Sequence, residues 1–77
     1  MQQSLRMNMC EILSRVQILY QNKQITFAQK DEITTLLKKG LSSSNNVTKL
    51  SSYLRQIKRE VDASFTDIVY ECIEMLN

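Results

Sequence analysis

Any chemistry in this 77-residue chain has to come from a short list of side chains, and the usual catalytic sources are thin. There is no histidine, which removes imidazole as general base, metal ligand or pH switch. The two thiols, Cys10 and Cys72, are too far apart for a Cys-x-x-Cys pair. Both fall on or beside apolar helical positions, which favours reduced cysteines in or near a core over a bridge. Asp31 and Glu32 are adjacent, so on a helix their carboxylates point to different sides. Glu71 and Glu74 share a face, but among other charged residues, which reads as a solvated surface. A single glycine rules out a glycine-rich phosphate loop. These residues point away from an enzyme and imply no cofactor and no metal.

Charge is distributed more tellingly than its net value of +2 suggests. Residues 1–59 carry all ten Lys and Arg against three acids, a balance of +7, while residues 60–77 hold five acids and no base. Such a basic body suits an anionic partner or its own acidic end. Two basic sets stand out: Arg15, Lys23, Lys30, Lys38 and Lys39 near an expected hairpin, and Arg55, Lys58 and Arg59 on one flank of a later helix. Side chains of this kind most often only solvate helix faces.

The elements that position them read as all-α. With no proline and one glycine, little interrupts helix formation. A first helix over about 3–22 gathers Leu5, Met9, Ile12, Leu13, Val16, Leu19 and Tyr20 on one stripe, with Met7 and Ile18 opposite. Asn22-Lys23-Gln24 reads as a turn. Thr26 and Gln29 have the spacing of a capping box for a second helix over 27–39. Ile33, Leu36 and Leu37 form its inner face, Phe27 lies off that face, and Gly40 suits the left-handed end, with Leu41 folding back towards Leu36. After a Ser/Asn loop, Asn46 is a suitable cap for a third helix.

Apolar residues then recur at Val47, Leu50, Leu54, Ile57, Val61, Phe65, Ile68, Cys72 and Leu76 in steps of three and four. This unslipped phase predicts one helix over 47–76, roughly 45 Å long. The alternative is a break near 62–64, with Ser64 capping a fourth helix. The first two helices span only about 30 and 21 Å. A continuous third helix would therefore leave Phe65, Ile68, Cys72 and Leu76 in need of a partner, most simply a second copy of the chain.

The chain thus reads as one helical interaction domain over 1–77, a small three-helix bundle with a long or broken third helix. No secretory signal, transit peptide or long apolar span is evident, so an intracellular setting, nuclear or cytoplasmic and off the membrane, is expected. Two binding modes follow. One is recognition of a helical, acidic or phosphorylated protein segment by Arg15, Ile18, Lys23, Phe27 and Lys30. The other is oligomerisation or scaffolding through the C-terminal stripe. Nucleic acid fits less well, because the charge density is modest and no row of exposed aromatics accompanies it.

The stretch Val16-x-x-Leu19-Tyr20-Gln21-x-x-x-Ile25-Thr26, with Ile33 seven residues on, resembles the SRI domain. That family's three-helix module binds the phosphorylated C-terminal tail of RNA polymerase II. Asn46, Lys49, Leu50, Leu54 and Arg55 are similar to the start of the family's third helix, so the resemblance covers about residues 12–58. It implies binding on the first two helices, with Arg15, Lys23 and Lys30 pairing phosphates and Tyr20 as a further contact. The chain departs from the family pattern in its short loop before Asn46 and in turning acidic after Arg59.

Overall fold

The computed structural model describes residues 5–40 and 43–76, and their side chains from residue 8 onward. Among these residues four α-helices follow one another: α1 (Leu5–Gln21), α2 (Phe27–Lys38), α3 (Ser44–Lys58) and α4 (Thr66–Met75), the last preceded by a 3₁₀ turn at Ala63–Phe65. No strand occurs among the described residues. Each helix packs on its neighbours in the chain, and α4 returns to α1 to close the ring. Ile12, Val16 and Leu19 of α1 meet Ile33 and Leu37 of α2, Leu50, Leu54 and Ile57 of α3, and Val69, Cys72 and Ile73 of α4 in one core. The all-α architecture is as expected. The expected placings of Leu5, Met7 and Leu41 fall on side chains or residues outside those described.

Punctuation explains the boundaries. Helix α1 ends in a Schellman arrangement: the Gln24 amide donates to the Leu19 carbonyl (2.9 Å) and the Lys23 amide to that of Tyr20 (3.0 Å). The left-handed position is filled by Lys23 at φ 60° rather than by glycine. A residue with a Cβ pays about 1 kcal/mol or more for that conformation. The predicted capping box is present. The Gln29 amide donates to Thr26 Oγ1 (3.1 Å) and the Thr26 amide to Gln29 Oε1 (2.8 Å). Gly40 takes φ 105° just past α2, as its place in the sequence suggests. Helix α3 starts earlier than predicted, at Ser44. Asn46 does not cap it, and instead donates from Nδ2 to the Gly40 carbonyl at 3.3 Å.

The continuous third helix is corrected, and the alternative, a break near 62–64 into a fourth helix, is the one observed. The chain leaves α3 after Lys58, and Asp62 turns to an extended backbone (φ −61°, ψ 151°). Ser64 lies within the 3₁₀ turn rather than capping α4. Gln24, from the α1–α2 turn, clasps the joint. Its Oε1 accepts from the Asp62 amide (2.9 Å) and its Nε2 donates to Asp62 Oδ2 (3.2 Å). Gln29 Nε2 adds a bond to Glu60 (3.1 Å).

With the helix broken, the in-phase stripe no longer defines the core face of α4. Val69, Cys72 and Ile73 are buried, centred away from the line through Ile68 and Leu76. The reason is an apolar arc on α4 wide enough to admit either phase, so periodicity alone does not choose. Phe65, Ile68 and Leu76 pack at the margin of the core, and Cys72 has no exposed surface. The argument for a second copy covering these four residues therefore loses its premise, since it required one continuous helix; within the chain Cys72 is buried and the other three are partly buried. Leu13 is likewise displaced from the predicted core stripe, at 36% exposure.

Candidate functional site

The side chains singled out on the first two helices divide among separate places. Arg15 is engaged on the α1–α4 seam: its Nε donates to Glu71 (2.8 Å) and its Nη1 to Glu11 (3.0 Å). These bonds, Glu71 first, raise the guanidinium's already high pKa. Half-exposed ion pairs of this kind contribute at most about 1 kcal/mol. Arg15 is thus a tie between α1 and α4, its guanidinium already engaged by two carboxylates.

Tyr20, Lys23, Phe27 and Lys30 lie at the α1–α2 turn, while Lys38 and Lys39 are at the far end of α2. Tyr20, near the end of α1, and Phe27, the first residue of α2, meet edge-on with centroids 6.2 Å apart and rings inclined at 64°. The Lys30 ammonium lies 4.8 Å from the Tyr20 centroid and 5.9 Å from that of Phe27. This cation–π contact is worth about 0.5–1 kcal/mol at an exposed site. Phe27 remains 63% exposed, and Ile18 is also exposed, as predicted. Lys23 and Tyr20 line one open cleft together with Gln21, Gln24, Ile25 and Thr26.

Among the described residues, neither Lys23 nor Lys30 has a carboxylate within ion-pair distance. The result is an aromatic ledge with two cations uncommitted to acids. The sequence holds a signal for part of it, because Phe27 and Lys30 are one helical turn apart. The Tyr20 contact depends on the angle between α1 and α2 and has no such signal. The comparisons with family models, curated proteins and solved structures return no match for this chain.

In the second basic set Arg55 and Arg59 are exposed and Lys58 is half-buried. Arg55 and Arg59 line a shallow groove with Ser52 and Gln56, and the Lys58 ammonium sits 5.1 Å from the Tyr70 centroid. A cleft between α2 and α3 includes Glu32, Lys49 and Tyr53. Burial, then Glu32 and Glu60, raises the Tyr53 pKa and keeps its hydroxyl protonated. No group of three or more metal-ligating side chains occurs among the described residues, and no helix there is long and apolar enough to cross a membrane.

The two cysteines differ sharply. Cys10 is exposed and Cys72 buried, neither in a disulfide. Burial pushes the Cys72 thiol from its ordinary 9.0 up to about 12. Folding therefore favours the protonated thiol. Its contribution is full below pH 9.0 and declines as pH rises towards 12, where the unfolded chain gains from thiolate formation. Iodoacetamide at pH 8 is expected to modify one thiol, at Cys10, in the folded chain and both in urea. Mass spectrometry of the two reactions checks this.

Proposed function

We propose that this chain is a non-enzymatic module that docks an acidic or phosphorylated peptide segment of a protein partner on the ledge at the α1–α2 turn. The observation that carries the reading is the Lys30 ammonium held over the Tyr20–Phe27 pair, with no carboxylate among the described residues within ion-pair distance of it or of Lys23. An exposed ring offers apolar contact at little ordering cost, and the neighbouring ammonium groups select negative charge. Lys23 supports the same reading, because the turn carries a cation where glycine would be easier. Strain tolerated at one residue is a pointer to use.

The resemblance to the SRI domain makes a phosphorylated polymerase-tail repeat the first ligand to try. Fluorescence anisotropy with that peptide, its unphosphorylated form and a glutamate-rich peptide of equal length tests the proposal. Either anionic peptide is expected to bind more tightly than the neutral one, with affinity falling as salt is raised. Lys23→Gln is expected to weaken binding roughly threefold. Equal affinity for charged and neutral peptides, or none for all three, overturns the reading.

A further inference from the structure

The α3–α4 joint has the makings of a hinge. Residues 59–66, Arg-Glu-Val-Asp-Ala-Ser-Phe-Thr, contain neither glycine nor proline, so no residue type in them forbids a helix. Arg59, Phe65 and Thr66 already have right-handed backbone angles. Asp62 matches a helix in φ and departs from it through ψ. The side chains that reach the corner from α1–α2 make exposed polar bonds, Gln24 on Asp62 and Gln29 on Glu60, while the joint's own Val61 and Phe65 pack partly buried against the core. Exposed hydrogen bonds of this kind are individually weak. The apolar stripe also runs through the joint without a slip, so straightening it leaves Val61 and Phe65 on the same side as Leu54 and Ile57.

We propose that α4 is an exchangeable arm, and that two copies of this chain pair by straightening the joint and trading α4. In the pair, α3 and α4 form one helix of about 32 residues, roughly 48 Å long. Each α4 then seats Val69, Cys72 and Ile73 on α1 and α3 of the other copy. The occupant is a second copy because its exposed α1–α3 groove is the one surface already shaped for α4. The core contacts of Val69, Cys72 and Ile73 are kept, as are the bonds Arg15–Glu71 and Asn8–Met75, now made between copies, while Val61 and Phe65 in the joint exchange theirs. The balance between closed monomer and exchanged pair then rests on the joint and on concentration. This pairing is independent of peptide docking at the α1–α2 turn.

Two variants push the balance in opposite directions. Gln24→Ala with Asp62→Ala removes the clasp and improves helix propensity at the joint. It is expected to raise the dimer association constant about a hundredfold, as two joints each contribute roughly tenfold. Ala63→Pro acts the other way. Proline suits the first position of the 3₁₀ turn and keeps Asp62 extended, but breaks a continuous helix. It is expected to abolish the dimer while the monomer melts at the same temperature or higher. Sedimentation equilibrium over a concentration series, with chains refolded from urea at high concentration, reads both. Hydrogen exchange of the dimer fraction is expected to show amides 60–66 slowed at least about tenfold relative to the monomer. A clasp-free variant that stays monomeric at millimolar concentration overturns the proposal. So does a dimer that survives Ala63→Pro, or one whose joint amides exchange as fast as in the monomer.

Discussion

Val69→Asp is expected to leave most molecules unfolded at 25 °C, whereas Ile68→Asp leaves the fold in place. A domain of 77 residues has a stability of about 4–12 kcal/mol, towards the low end for its size. Val69 has no exposed surface, so its replacement forfeits about 2 kcal/mol of burial and places a carboxylate in the apolar core. The combined cost is about 4–5 kcal/mol or more. Ile68 sits at the rim, where a carboxylate can turn towards water, and its replacement costs about 1–2 kcal/mol. Urea unfolding followed by far-ultraviolet circular dichroism separates the two. A larger loss at Ile68 than at Val69 would mean that α4 presents the in-phase stripe to the core, and the broken joint would be wrong.

Reversing both charges at the α1–α2 turn, Lys23→Glu with Lys30→Glu, is expected to weaken binding of an anionic peptide about a hundredfold. Each reversal removes one attraction and adds one repulsion, together about 1–1.5 kcal/mol per site at an exposed surface. The fold is expected to lose no more than about 1 kcal/mol, the contact of Lys30 with the two rings. Lys23→Gly provides the sharper control. It relieves the left-handed conformation and is expected to raise stability by about 1 kcal/mol while weakening the peptide complex. Binding and stability then move in opposite directions at one residue. A reversal double mutant that binds as tightly as the parent chain sinks the assignment of this surface.

Local chemistry was legible in the sequence, and long-range geometry was not. Thr26, Gln29 and Gly40 announce α2 because caps depend on residues three or four positions apart. The exposure of Phe27 and Ile18 followed from their place off the apolar stripes. The joint at Asp62 was ambiguous because what secures it comes from Gln24, 38 residues away in the chain. Val69 and Ile73 were missed for a related reason: α4 is apolar over so wide an arc that only its seat against α1 and α3 selects the buried side. Arg15 had the charge expected of a phosphate ligand, but Glu71, 56 residues on, claims it.

The closed ring of helices also has a mechanical side. The Asn8 side chain donates to the Met75 carbonyl at 3.2 Å, so the first and last helices meet almost at their outer ends. Tension applied through both ends of the described chain would not stretch the bundle along its length. It would load the α1–α4 seam from one end, parting Asn8–Met75 before Arg15–Glu71 in the manner of a zip. Contacts that open one after another yield at far smaller forces than contacts sheared together, so this seam is the bundle's weak direction.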